Sequence, residues 1–119
     1  MILADTSVWV DHLRTSHARM NELLQARKIL HHTSVLGELM LGGLRPNGAV
    51  ALSMLDMPRA LEGTSLEVLQ VVTRHGLAGT GLGFADVCIL TSALLTPEAT
   101  LWTRDRKLHK VAERLGVAA

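Results

Sequence analysis

Four acidic side chains stand in apolar settings. Asp5 follows Ile2-Leu3-Ala4, and Glu38 lies within Val35-Leu36-Gly37-Glu38-Leu39-Met40-Leu41. Asp86 lies within Phe84-Ala85-Asp86-Val87-Cys88-Ile89-Leu90, and Asp105 follows Leu101-Trp102-Thr103-Arg104. A carboxylate buried without a partner is costly, so acids in such places are expected to be paired, protonated or bound to a cation. None of the four segments contains a Lys to neutralise them. A hard divalent cation, Mg²⁺ or Mn²⁺ in its place, suits oxygen ligands of this kind. The chemistry such a site supports is phosphodiester hydrolysis, in which a metal makes water nucleophilic and shields the charge developing on phosphate.

The elements that must position these acids follow from local patterns. Ile2 to Ala4 is a short apolar run, predicted as a strand, that stops at the helix-capping cluster Asp5-Thr6-Ser7 before Val8, Trp9, Val10 and Leu13. Met20, Leu23 and Leu24 predict a helix over 17–28, and Ile29 to His31 a short strand. Thr33-Ser34 offers a cap for a helix through Leu36, Leu39 and Met40 to the Gly42-Gly43 stop. Val50, Leu52, Met54 and Leu55 predict a helix ending before Pro58. Thr64 and Glu67 form a capping box for a helix over 65–75 that Gly76 ends. After Gly79, Gly81 and Gly83 comes an almost wholly apolar helix over 84–95, then a strand over 100–103 and an amphipathic helix over 106–115. Helices alternating with short apolar strands indicate an α/β domain with a mainly parallel sheet. In such a sheet Asp5 and Asp105 share the carboxyl edge, where the helices carrying Glu38 and Asp86 also begin, so the four acids are expected to converge there.

Composition limits the alternatives. The chain has 119 residues, 48% hydrophobic and 19% charged, which fits one domain over 1–119 and excludes a disordered chain. Cys88 stands alone, so neither an internal disulfide nor a thiolate zinc site can form, and a reducing, cytoplasmic setting is expected. No stretch of about 18 apolar residues and no leader pattern is present, so no membrane partner is expected. A formal charge of +1 does not advertise a nucleic-acid binder. That total is an average, because setting the four candidate acids aside leaves seven acids against 12 Lys and Arg. With one Phe, two Trp and no Tyr there is no aromatic stacking platform, so any grip on RNA must be electrostatic. Arg104, Arg106, Lys107 and Lys110 flank Asp105 and are candidates for RNA-backbone contact.

Taken together, the segments Asp5-Thr6-Ser7-Val8-Trp9-Val10-Asp11, Gly37-Glu38-Leu39 closing in Gly42, Gly83-Phe84-Ala85-Asp86, and Leu101-Trp102-Thr103-Arg104-Asp105 span nearly the whole chain. In order and spacing they resemble the PIN-domain superfamily, and within it the VapC-type toxins of bacterial toxin-antitoxin pairs. The resemblance implies a three-layer α/β/α domain and a Mg²⁺-dependent endoribonuclease leaving 3′-hydroxyl and 5′-phosphate ends. It implies Asp5, Glu38, Asp86 and Asp105 as the metal-binding, catalytic quartet, supported by the hydroxyls of Thr6 or Ser7 and of Thr103. An antitoxin partner and a homodimer are likewise implied. Many PIN domains carry a further acid two residues beyond the last Asp, where this chain has Lys107, and 43–60 matches no pattern.

Each acid also has a plain structural reading. Asp5 and Asp105 suit helix caps, Asp86 a first-turn acid that complements the helix dipole, and Glu38 an exposed helical position. His31 and His32 read as strand-end and loop residues, and Cys88 as a small core residue. The functional alternatives are a catalytically inactive PIN-fold interaction module and a phosphotransfer receiver. The latter lacks its paired acids, because Asp5 has no acidic neighbour.

Overall fold

The computed structural model describes all 119 residues, Met1–Ala119. The chain runs β1 (Ile2–Ala4), α1 (Thr6–Arg14), α2 (Ala18–Gln25), α3 (Thr33–Leu41), α4 (Ala49–Leu55), α5 (Ser65–Arg74), α6 (Phe84–Leu95), β2 (Thr100–Trp102) and α7 (Arg106–Arg114). β1 and β2 pair in parallel, with Ile2 opposite Thr100, Leu3 opposite Leu101 and Ala4 opposite Trp102.

Single bridges extend this pair on both sides. Ile2 donates its N–H to the Lys28 carbonyl and accepts from Leu30, both at 2.8 Å, while His31 bridges Arg59 and Leu101 bridges Ala118. The extended segments therefore lie in the order 58–60, 29–31, β1, β2, 117–119, all parallel. From β1 the chain steps outward in one direction and then returns to build the other side. The reversal falls between β1 and β2, and the carboxyl ends of those strands open the crevice in which open α/β sheets bind ligands.

Leu3, Ile29 and Leu101 are fully buried, as parallel strands covered by helices require. α1 packs on α3, α3 and α5 on α6, and both α6 and α7 lie against β2. α6 is buried through its middle, including Thr91 and Ser92, and the Thr91 hydroxyl returns to the Val87 carbonyl at 2.7 Å so that its polar group is satisfied. The Thr64–Glu67 capping box of α5 is formed on both arms. No helix is long and apolar enough to cross a membrane.

Two local expectations are corrected. α2 ends at Gln25, because Arg27 adopts φ +54 and the Lys28 N–H reaches back to the Leu23 carbonyl at 2.9 Å. That is a Schellman turn with Arg where Gly is usual, so no glycine marks it in the sequence. The cap of α3 is His32, whose side chain accepts the Ser34 N–H, and Thr33 is already helical. His31 ends the extended segment 29–31 and His32 lies in the turn before α3, as read from the sequence, and both are buried.

Candidate active site

Asp5 is the one candidate acid that is buried, at 5% exposure, whereas Glu38 and Asp105 are exposed and Asp86 is partly exposed. The expectation of four buried carboxylates is thus corrected. Apolar neighbours in sequence do not bury a helical residue whose own face points outward, and Glu38 shares the open side of α3 with Met40 and Leu41.

Asp5 caps α1. Its Oδ1 accepts the Ser7 hydroxyl at 2.5 Å and the Val8 N–H at 3.2 Å, and its Oδ2 accepts the Thr103 hydroxyl. These are three of the roughly four hydrogen bonds a carboxylate can accept, so one lone pair on Oδ2 has no protein partner. Thr103 Oγ1 in turn accepts the Asp105 N–H at 3.0 Å, and Ser7 Oγ accepts the Arg104 N–H at 2.9 Å. Asp5, Ser7, Thr103 and Asp105 therefore form one network across the ends of β1 and β2.

The other acids are each held by one oxygen. Glu38 Oε1 accepts the hydroxyl of Thr6, next in sequence to Asp5, at 3.1 Å. Asp86 Oδ2 accepts the Gly83 N–H at 3.0 Å, which ties it to the glycine loop. Asp105 Oδ1 accepts the N–H groups of Lys107 and Leu108 at 2.8 and 3.1 Å and so caps α7. The second oxygen of each of these three carboxylates makes no hydrogen bond within the protein. The capping roles read from the sequence for Asp5 and Asp105 are real, and they leave acceptor capacity unused.

None of the four acids is neutralised by a cation. The ion pairs of the molecule use Asp11, Asp56, Glu62 and Glu113 instead. No three Asp, Glu, His or Cys side chains stand close enough together to enclose a metal ion. The structure joins Asp5 to Asp105 through Thr103, brings Glu38 to Thr6, and leaves Asp86 attached only to its own loop. The donor set fits a hard divalent cation, since it consists of carboxylate oxygens without thiolate or imidazole, each with an unused acceptor.

An open groove of about 560 Å³ borders this edge, lined by Thr103, Asp105, Arg104, Arg106, Lys107 and Lys110, together with His109. No hydrophobic residue lines it, and its cations suit phosphate oxygens. Arg104 is not free, because its Nη1 lies 3.0 Å from Asp11 Oδ2. Lys107 lies against the glycine loop, where a Cβ on Gly81 would come within 3.1 Å of its Nζ.

Sequence reasoning passed over a polar cluster behind the edge. His32 Nδ1 accepts the Ser34 N–H at 3.0 Å, and its Nε2 lies 2.8 Å from Ser92 Oγ on α6. Glu62 accepts the Thr33 hydroxyl at 2.8 Å and the Thr33 N–H at 3.3 Å. Burial pushes the His32 pKa below the usual imidazole range despite the opposing charge of Glu62. Burial alone would raise the Glu62 carboxyl, but the Thr33 bonds, His32 and Arg59 hold it below its usual range. Burial raises the Cys88 thiol. The available signal was His32 next to the Thr33-Ser34 helix start, since an imidazole nitrogen can serve as the cap.

No family model matches the chain. In a comparison with curated proteins the chain is 41% identical over 118 residues to Ribonuclease VapC32 of Mycobacterium tuberculosis, recorded in two strains, covering 99% of this chain and 95% of that protein.

Proposed function

This chain belongs to the VapC-type ribonuclease toxins of the PIN-domain superfamily, and from that membership we propose that the edge described above is its divalent-metal-dependent RNA-cleaving site. As a family member it is an endoribonuclease of a toxin-antitoxin pair, which sets aside the reading as an inactive interaction module. The observation that supports the site assignment is that Asp5 and Asp105 are joined through Thr103 at the carboxyl ends of β1 and β2, that Glu38 is bonded to Thr6 beside Asp5, and that none of these acids, nor Asp86, is paired with a cation.

Asp5, Glu38, Asp86 and Asp105 would hold Mg²⁺, or Mn²⁺ in its place. Such an ion supplies Lewis acidity that makes water nucleophilic at neutral pH and offsets charge on the phosphate. The residues of the chain divide the remaining work. Ser7, Val8 and Thr103 fix the orientation of Asp5, and Thr6 does the same for Glu38. Asp105 completes the acidic set or orients the attacking water. Arg106 and Lys107, with Arg104 once it leaves Asp11, would hold the RNA backbone in the basic groove and leave bases unread.

The whole chain would act as a single PIN domain. Right-handed crossovers stepping in opposite directions from β1 place helices on opposite faces, which supports the three-layer α/β/α order. An antitoxin partner follows from the family. An apolar groove of about 490 Å³ lined by Trp9, Leu13, Leu24, Val50, Met54 and Met57 offers such a protein a docking place. A homodimer and action in the cytoplasm, where RNA is available, complete the reading. The test is cleavage of total RNA with and without a chelator, with the ends mapped. Metal-dependent cuts leaving 5′-phosphates support it, and unchanged cutting in the chelator overturns the metal assignment.

A further inference from the structure

We propose that His32, through its buried hydrogen bond to Ser92, is a positioning residue for the active site, fixing the helix that bears Glu38 against the helix that bears Asp86. The proposal rests on the reading of those two acids as metal ligands.

The backbone N–H of Ser34 can only donate, so His32 Nδ1, which accepts it at 3.0 Å, carries no proton. The neutral ring therefore carries its proton on Nε2, 2.8 Å from Ser92 Oγ. Both ring nitrogens are committed, one to the cap of α3 and one to α6. This arrangement makes Nε2 a donor, and Ser92 has 0% exposure, so the pair is not a hidden nucleophile and base. His32 itself has 2% exposure, so water cannot replace either bond. It is the only bond between two side chains that links the start of α3 to α6, and the Cys88 carbonyl of α6 also faces the ring.

Glu62 pins the same turn by holding the Thr33 hydroxyl and N–H, and its Oε1 stands 4.0 Å from His32 Nε2. Glu38 lies six residues beyond His32 on α3, and Asp86 lies six residues before Ser92 on α6. Each carboxylate thus sits about 9 Å along its helix from the crosslink. A small tilt at His32–Ser92 is carried along both helices to the two acids. No three ligating side chains are yet close enough to enclose an ion. The crosslink consequently sets how far Glu38 and Asp86 must move to share one.

The experiment is calorimetric titration of the full chain with Mn²⁺ alone. The proteins compared are the wild type, Asp86→Asn, His32→Asn, Ser92→Ala, the double variant of the last two, and Thr64→Ala. His32→Asn retains an oxygen able to cap α3 but cannot reach Ser92. Thr64→Ala removes the cap of α5, a helix that packs on α6 but carries none of the four acids and no bond to His32 or Ser92, and reports the effect of lost stability. His32→Asn and Ser92→Ala are each expected to weaken Mn²⁺ binding about 10-fold, with the double variant no worse than the weaker single variant. In RNA cleavage both should lose kcat at low metal, recover it at high metal, and keep KM for RNA. Thr64→Ala should bind Mn²⁺ as the wild type does. Wild-type affinity in both single variants, with binding still lost in Asp86→Asn, overturns the positioning role and leaves the site assignment standing. An equal loss in Thr64→Ala also overturns it. Absence of Asp86-dependent Mn²⁺ binding in the wild type overturns both readings.

Discussion

The hydroxyl of Thr103, just past β2, donates to the carboxylate of Asp5, just past β1, while the same oxygen accepts the Asp105 N–H. Two neighbouring strands thus share one small polar group at the point where the sheet order reverses. Thr103→Val keeps the shape and removes the hydroxyl, leaving a buried carboxylate short of a donor. The expected destabilisation is about 1.5–3 kcal/mol, with Thr103→Ser near wild type, read by thermal or denaturant unfolding. A Thr103→Val protein as stable as the wild type would show that this bond does not hold Asp5.

Acid should destabilise the fold before carboxylate chemistry intervenes. His12, His31 and His32 all have pKa values lowered below 6.5, burial being the largest cause in each. His17 opposes protonation of His12, Arg59 opposes that of His31, and Glu62 favours protonation of both His31 and His32. The unfolded chain takes up protons near pH 6.5 while the folded chain resists. Stability from these groups is complete above that pH and is lost as pH falls through the folded values. Tm should be level above about pH 7 and decline below about 6.5. His32→Asn should shallow the decline, and a Tm that rises on acidification would contradict the assignment.

The basic groove should reveal itself in salt dependence. Lys107→Ala and Arg106→Ala are each expected to reduce the slope of log affinity against log salt by about 0.7 on single-stranded RNA, measured with a non-cleaved substrate. Arg104 should behave differently, since Asp11 holds it at 3.0 Å. Asp11→Asn should free it and tighten RNA binding at low salt.

The glycine loop supplies a control on geometry. Gly79 and Gly81 both have positive φ, +77 and +82, but only Gly81 faces Lys107. Gly79→Ala should cost about 1–2 kcal/mol from backbone strain alone, and Gly81→Ala more. Adding Lys107→Ala should recover the excess in Gly81→Ala, as measured by unfolding. No recovery would place the extra cost in the backbone.

Much of this arrangement was legible in the sequence because local chemistry announced it. The Thr64–Glu67 box, the glycine stop after α5 and the bounds of α6 follow from capping and periodicity, and Asp5 at the end of an apolar run is indeed buried. What was not legible depended on long-range packing. The extended segments at 58–60 and 117–119 are held by single bridges, too short for any alternation to show. Glu38 reads as buried from its neighbours, yet its orientation is set by which face of α3 meets α1 and α6. His32 joins residues 60 positions apart in sequence, a partnership that no local pattern encodes.

The central claim is that the uncompensated carboxylates at this edge cleave RNA, and Asp86→Asn tests it most directly. The Asn amide oxygen can still accept the Gly83 N–H, so the loop and the fold should survive. With Mg²⁺ and a structured RNA, the wild type should cut, and the variant should be slower by at least about 100-fold at unchanged Tm. Equal cleavage by the two proteins would contradict the account.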